Sequence, residues 1–241
     1  MAARSRYDPC DTLRAQDIPC LVYFEDAIAA YGVPTALFDL YLLVPDLAEA
    51  EETLLAAGWT TAPPLGRVHH FLNSPLHISH RRLLPPPGIT TAEKPPSDPA
   101  APPSQAAPGP TTTVLLPAAC WTASNIDEIF LSSPDTLVPP LPVLLDGLIK
   151  ALLDLPPFDQ ALSDHLATQI SYLYGHCDAL KTQDFGRELM LEHRQFHYDA
   201  LSKPGLGTVP FLMEQQRIRE DVRNGKHEPQ RNAWYLPPTR T

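Results

Sequence analysis

The sequence predicts an α+β protein, with a mixed β-sheet and short helices in its first part and a helical region after it. Between residues 18 and 59 the apolar pattern changes from strand to short helix, back to strand, and then to a longer helix. From residue 139 onward, apolar residues recur at helical spacing instead. With 241 residues, of which 44% are hydrophobic, the chain is long enough to bury a substantial core.

The first unit contains two predicted strands and two predicted helices. CLVYF at 20–24 is apolar and β-prone, and EDAIAAYG after it predicts a short helix that ends at Gly32. LFDLYLLVPD at 37–46 predicts a second strand, because its side chains alternate in character. Asp46 is the expected N-cap of the helix LAEAEETLLAAG, which ends at Gly58.

Later segments complete the predicted sheet and the helical region. RVHHFLN at 67–73 and LHISHRRLL at 76–84 predict a pair of strands, and TTTVLLPAACW at 111–121 resumes the β pattern. Helices are predicted over residues 143–155, 158–177, 184–201 and 211–225.

Composition divides the chain into parts. Ten of the 29 prolines fall within residues 85–110, which contain almost no large apolar side chain, and proline lacks the N–H that helices and sheets need. This stretch is interpreted as a proline-rich loop that interrupts the core. The predicted parts are a flexible lead-in at 1–17, an α/β core at 18–138, a helical region packed on the core at 139–225 and a tail at 226–241.

Charge and cysteine content argue against several classes of protein. A formal net charge of −10 disfavours non-specific nucleic-acid binding, which needs clustered Lys and Arg. The chain has no run of 18 apolar residues and no apolar signal segment, so we expect no membrane span and a cytoplasmic protein. The four cysteines form no C-x-x-C pair, so we expect reduced thiols and no structural zinc site. His193 and His197, four residues apart, are interpreted as packed histidines rather than metal ligands.

The segment YFEDAIAAYGVPTALFDLYLLVPD at 23–46 resembles the opening of the nucleotidyltransferase superfamily. That opening has a strand, a pair of small residues at a helix start, and a second strand that carries Asp-x-Asp. Phe24 and Glu25 stand at the small pair, Asp39 at the first carboxylate and Tyr41 at the second. The resemblance implies a nucleotidyltransferase-like mixed sheet followed by helices. The EHRQFH segment is also similar to that of uncharacterised fungal proteins with this core.

The same resemblance implies the transfer of a nucleoside monophosphate from a triphosphate by two metal ions. Two Mg²⁺ ions would clamp the attacking and leaving oxygens. Carboxylates at positions i and i+2 of a strand point to the same side, so both reach the metals. The family also places a lysine on a later helix to meet phosphate, and Lys150 is the candidate for that role. Mg²⁺ and a nucleoside triphosphate are therefore the implied cofactors.

The sequence departs from this pattern at two places. Tyr41 replaces a carboxylate, and a neutral phenol is a poor ligand for Mg²⁺. Phe24 and Glu25 put bulk and negative charge where small residues would admit a triphosphate. The predicted strands at 67–84 offer no Asp or Glu as the third carboxylate that the family uses. Asp39 therefore remains as the candidate catalytic and metal-binding residue.

Four further residues are candidates for binding the cofactor: Glu25, Asp26, Tyr41 and Lys150. Structural interpretations stand beside these. Carboxylates at a helix start interact with the helix dipole, and Lys150 is also compatible with an amphipathic helix whose lysine extends to solvent. Asp39 is equally compatible with an ion pair to Arg81 or Arg82.

Three functions are compatible with these residues. The first is a catalytically degenerate, nucleotidyltransferase-like protein that binds a nucleotide or has a regulatory role. The second is an active Mg²⁺-dependent transferase that recruits Glu25, Asp26, Asp127 or Glu128 and serves a small-molecule, protein or RNA acceptor. The third is a protein-interaction module that uses the proline-rich loop or the helical half. The incomplete carboxylate set favours the first, and whether the protein is an enzyme stays open.

Overall fold

The computed structural model describes residues 5–62, 79–86, 111–122, 128–129, 136–156, 159–202 and 205–231. These ranges contain a five-stranded mixed sheet, followed by a helical region. The strands are β1 (Leu21–Tyr23), β2 (Leu40–Val44), β3 (Thr60–Thr61), β4 (Arg81–Leu84) and β5 (Thr113–Pro117). The helices are α1 (Asp8–Arg14), α2 (Phe24–Ala30), α3 (Leu47–Ala56), α4 (Ala118–Trp121), α5 (Leu141–Asp154), α6 (Gln160–His176), α7 (Arg194–Ser202) and α8 (Val209–Arg223). The predicted combination of a mixed sheet with a later helical region is confirmed.

Local sequence signals at α2 and α3 have the predicted effect. The Asp46 side chain accepts hydrogen bonds from the Ala48 and Glu49 N–H groups, at 2.7 and 3.0 Å, and so caps α3. Gly32 and Gly58 follow α2 and α3 with φ of +84° and +96°. Glycine adopts this left-handed conformation without strain, so both helices end where the sequence predicts.

The flexible lead-in predicted at 1–17 instead contains a helix. Cys10 and Leu13 of α1 are completely buried, so this segment is part of the core. The start of α1 does carry helix signals, namely Pro9 in its first turn and acidic residues beside it. Apart from Pro9, the only apolar residues of α1 are Cys10 and Leu13, which are too few to show a periodic pattern, and the sequence therefore did not predict the helix.

The continuous helix predicted at 184–201 is wrong in its first half. The structure has three short 3₁₀ helices between α6 and α7, at Asp178–Lys181, Asp184–Glu188 and Leu191–His193. Backbone at Met190 is extended, with ψ of 141°, and its N–H donates to the Asp146 carboxylate at 3.0 Å. Asp146 lies on α5, so a tertiary hydrogen bond takes the N–H group that a continuous helix would use.

Strand boundaries also differ from the predicted ones. The strand predicted at 37–46 is limited to β2, so Phe38 is left 64% exposed and Asp39 directly precedes the strand. The strand predicted at 111–121 contains β5 and then α4.

Parts of several predictions lie outside the described residues. Of the predicted strand pair, 67–78 is not described, and 79–84 contains β4. Residues 87–110 of the proline-rich loop and 232–241 of the tail also lie outside.

The sheet has the strand order β1-β2-β5-β4-β3, with β2 and β5 parallel and the other pairs antiparallel. Tyr41 of β2 lies opposite Tyr23 on one side and Val114 on the other. Val114 in turn lies opposite Arg82 of β4. Directly opposed residues point to the same face of a sheet, so these four side chains form one row across it.

The two faces of the sheet are covered by different helices. Arg81 points to the face opposite that of Arg82 and donates to Glu51 of α3 at 2.7 Å. On the other face, the Tyr23 hydroxyl donates to the carbonyl oxygen of Trp121 in α4 at 3.1 Å, and α4 contacts α5. All five residues of β2 are buried, which fits a strand that is covered on both faces.

Two glycine substitutions test the packing of α5 against the sheet. A Cβ at Gly147 would lie 2.5 Å from the Trp121 carbonyl oxygen and 3.1 Å from the Tyr23 hydroxyl. Gly147→Ala is therefore expected to lower the free energy of unfolding by about 1–3 kcal/mol. In Gly175→Ala on α6 the new Cβ meets nothing within 4 Å, so helix propensity raises stability by about 0.5–1 kcal/mol. Urea unfolding measures both, and equal effects of the two substitutions would contradict this packing.

Candidate functional site

Asp39 lies directly before β2, on the face of the sheet that the helical region covers. Asp39 as a whole is 8% exposed to solvent. Arg82 of β4 places its Nη2 atom 3.6 Å from the Asp39 Oδ2 atom. Both side chains are largely buried, at 14% and 11% exposure, so this ion pair is shielded from solvent. Of the two arginines that the sequence offers as partners, the structure selects Arg82.

Tyr41 stands two residues after Asp39 and is 2% exposed. Burial raises the pKa of its hydroxyl strongly, and the nearby carboxylates of Asp39 and Glu25 raise this pKa further. The hydroxyl therefore stays protonated at neutral pH. Its ring packs edge-on against Phe24, with ring centroids 5.0 Å apart. Tyr41 thus contributes a neutral, packed ring two residues after Asp39.

Phe24 has a left-handed backbone conformation, with φ of +51°, at the turn from β1 into α2. This conformation costs a bulky residue about 1–3 kcal/mol and is adopted readily only by glycine. The Phe24 ring is completely buried. Trp121 and His165 pack edge-on against it, with centroids 5.2 and 4.8 Å away. The turn at Phe24 therefore has a backbone conformation that glycine adopts readily, while the Phe24 side chain fills the space beside it.

Glu25 is buried at the start of α2 and is held by α6. The Gln169 side chain donates to Glu25 Oε1 at 2.9 Å, and His165 Nε2 lies 3.8 Å from the same oxygen. Burial raises the pKa of the Glu25 carboxyl to about 7, although the Gln169 hydrogen bond partly opposes that shift. Near neutral pH this carboxyl is thus divided between its protonated and ionised forms.

Asp26 takes part in a separate cluster that includes the N-terminal segment. Arg6 forms a bidentate pair with the two Asp26 carboxylate oxygens, at 2.8 and 2.9 Å. The Tyr7 hydroxyl donates to the same carboxylate at 3.1 Å. Arg6 also donates to the carbonyl oxygens of Phe38 and Asp39, at 3.0 and 2.9 Å. Asp26 therefore helps to fix the chain before β2.

Lys150 belongs to an ion-pair network of the helical half. Its amine lies 2.9 Å from Asp154 Oδ2, one turn along α5. Arg219 of α8 lies 2.7 Å from the other oxygen of Asp154. Together these two cations lower the pKa of the Asp154 carboxyl, against the effect of burial. Lys150 thus shares Asp154 with Arg219 of α8. The other candidates Glu25, Asp39 and Tyr41 lie near one another at the sheet.

The structure gives His193 and His197 different partners. His193 Nδ1 lies 2.7 Å from the Asp146 carboxylate. His197 Nε2 lies 2.8 Å from the Thr182 carbonyl oxygen, so it carries a proton, and Nδ1 accepts from the Tyr174 hydroxyl at 2.9 Å. Burial lowers the pKa of His197, in agreement with this neutral form. Among the residues that the structure describes, no group of three or more His, Cys, Asp or Glu side chains is arranged to hold a metal ion.

An open groove lies away from this site, beside the edge of β1. It has a volume of about 410 Å³ and is lined by Ala30, Tyr31, Thr136, Leu137, Val138 and Pro140. The Leu137 carbonyl oxygen accepts from the Val22 N–H at 2.7 Å, so the segment around Leu137 covers that edge of the sheet.

Comparisons of the chain with protein-family models, with curated proteins and with solved structures return no match. In the described ranges, no helix has the combined length and apolar character needed to cross a bilayer.

The sequence analysis missed two residues that contact Glu25. His165 and Gln169 lie one turn apart on α6, beside the apolar residues Leu162, Leu166 and Ile170. Polar side chains next to an apolar stripe were the available signal. Their partner could not be identified, because Glu25 is 144 residues away from Gln169 in the chain.

The buried carboxyl of Glu25 predicts a pH-dependent contribution to stability. Its pKa rises from 4.5 to about 7 on folding, so the folded state binds more protons than the unfolded state between these values. Stability from this group is complete below about pH 4.5 and is lost as the pH rises through 7. Glu25→Gln stays neutral. Between pH 4.5 and pH 8, the free energy of unfolding of this variant should therefore rise by about 3 kcal/mol relative to that of the wild type.

Urea unfolding of both proteins across this pH range measures the difference. Glu52→Gln on the exposed side of α3 is the matched control and should show a difference that does not vary with pH. A flat difference for Glu25→Gln as well would show that the folded protein does not raise the Glu25 pKa.

Proposed function

We propose that this chain is a catalytically degenerate, nucleotidyltransferase-like protein that binds a nucleotide without turning it over. The observation that carries the proposal is the largely buried ion pair of Asp39 and Arg82. In this proposal a guanidinium takes the place of a metal ion beside the candidate carboxylate. Arg82 then supplies the positive charge for phosphate that Mg²⁺ supplies in an active site.

The arrangement of β1, α2 and β2 supports the resemblance on which this proposal rests. β2 is a strand and pairs with β1, with Tyr41 opposite Tyr23. The turn between β1 and α2 has the left-handed conformation at Phe24 that a small residue would adopt more readily. In this resemblance, Asp39 and Tyr41 align with the first two carboxylates of the family.

The charges around Asp39 favour binding without catalysis. Two Mg²⁺ ions need several carboxylate oxygens, and the positive charge of Arg82 beside Asp39 opposes a second cation. Tyr41 is a neutral phenol, and Glu25 is partly protonated near pH 7. The negative charge that could attract metal ions is therefore smaller than the number of acids suggests.

An active transferase would have to recruit other acids to Asp39. Asp26 already holds Arg6 through both of its carboxylate oxygens. Glu128 is exposed, and Asp127 lies outside the described residues. Recruitment of Asp26 would therefore require the ion pair with Arg6 to break.

The proposal predicts nucleotide binding that does not require Mg²⁺. ATP without Mg²⁺ should raise the melting temperature of the wild type, because a ligand of the folded state stabilises it. Arg82→Ala should weaken this binding at least about 10-fold, since a charged phosphate contact is lost. Asp39→Asn should strengthen it, because the carboxylate that competes for Arg82 is removed. Arg81→Ala is the matched control, since Arg81 points to the opposite face of the sheet and pairs with Glu51.

Turnover assays separate the alternative functions. The wild type should not consume ATP, GTP, CTP or UTP in the presence of Mg²⁺. Consumption that depends on Mg²⁺ and is lost in Asp39→Asn would instead establish an active transferase. The protein would instead be an interaction module if it bound no nucleotide but bound a partner protein, and if deletion of residues 85–110 abolished that partner binding.

A further inference from the structure

Two of the four cysteines lie against each other in the core. Cys10 belongs to α1 and Cys20 directly precedes β1, and both are completely buried. Cys20 Sγ lies 3.8 Å from the Cys10 carbonyl oxygen, to which its S–H donates. Both thiols are free in this structure.

We propose that Cys10 and Cys20 form a redox-active pair, which peroxide oxidises to an intrachain disulfide that fastens α1 to the start of β1. The Cys20 sulfur already lies against the Cys10 backbone, so the two cysteines are close enough in space for a disulfide to join them. The disulfide would close a loop between residues ten positions apart.

The surroundings of the two thiols assign them different roles. The hydrogen bond with Cys10 lowers the pKa of the Cys20 thiol, and the positive charge of Arg14 lowers it further, against the effect of burial. The hydrogen bond with Cys20 and burial raise the pKa of the Cys10 thiol. Since the thiolate is the nucleophile, Cys20 reacts first and Cys10 resolves the product.

The oxidation proceeds in two balanced steps. The Cys20 thiolate attacks one oxygen of hydrogen peroxide, the O–O bond breaks, and Cys20 sulfenic acid and hydroxide form. The Cys10 sulfur then attacks the Cys20 sulfur, so that the S–S bond forms and the S–O bond breaks. The two hydroxide ions take up the two thiol protons as water. The thiols are oxidised by two electrons, and one peroxide is reduced.

Peroxide reaches the buried pair when α1 opens locally. α1 is a single helix of seven residues, and one short helix opens at a lower free energy than the whole fold. The disulfide suppresses this opening, because it connects α1 to the sheet covalently. It also restrains Arg6, which precedes α1 and binds Asp26 and the backbone at Asp39.

Peroxide titration of the full chain, followed by unfolding, alkylation and peptide mass analysis, tests the proposal. We expect Cys10 and Cys20 to lose alkylation together and to appear in one linked peptide, which dithiothreitol separates. The oxidised protein should melt about 5–10 °C above the reduced protein, because the cross-link restricts the unfolded chain. In Cys10→Ala, dimedone should trap Cys20 as its sulfenic acid, whereas in Cys20→Ala the Cys10 thiol should stay reduced.

Cys177→Ser and Cys120→Ser are the matched controls, and both should form the Cys10–Cys20 peptide at the wild-type rate. Circular dichroism of each reduced variant shows whether it folds. The proposal is overturned if Cys10 and Cys20 both stay alkylatable at a peroxide concentration that oxidises the exposed Cys120. It is also overturned if Cys20 oxidises in the wild type without linking to Cys10, or if the oxidised and reduced proteins melt at the same temperature.

Discussion

The junction between the sheet and the helical half depends on the burial of Phe24 in a left-handed turn. The backbone conformation costs about 1–3 kcal/mol, and each edge-on ring contact contributes about 0.5–1.5 kcal/mol beyond its buried area. Phe24 makes such contacts with Tyr41, Trp121 and His165, which belong to β2, α4 and α6. These contacts therefore offset the strain. A glycine at this position would remove the backbone strain. It would also remove the Phe24 ring, which contacts β2, α4 and α6, and would leave a cavity in its place.

The three acids near this junction are stabilised in different ways, and this limits their chemistry. Asp26 has the full charge of Arg6 at bidentate distance, whereas Asp39 has Arg82 at 3.6 Å. Glu25 has the neutral amide of Gln169 and responds to burial with a raised pKa. A carboxylate that is already neutralised by a guanidinium or a proton attracts a divalent cation weakly. The local electrostatics thus weaken the attraction of the site for a divalent cation.

The sequence predicted features that depend on neighbouring residues and missed those that depend on distant ones. The cap at Asp46 involves N–H groups within three residues, so its signal is local. The break before α7 arises from a hydrogen bond between residues 44 apart, Asp146 and Met190, which no local pattern records. In the site, the sequence offered Arg81 and Arg82 equally as partners of Asp39. Only the pairing of β4 with β5 decides which arginine shares that face.

Residue 39 is held at its backbone and at its side chain by arginines from different parts of the chain. Arg6 donates to the Asp39 carbonyl oxygen at 2.9 Å, and Arg82 lies beside the Asp39 carboxylate. Since Arg6 also holds Asp26 at the start of α2, the segment before α1 fixes the distance between α2 and the start of β2. The geometry of the candidate site is therefore not a property of β2 alone. A displacement of α1 that moves Arg6 would break the hydrogen bond at the backbone of Asp39, the residue whose carboxylate lies beside Arg82.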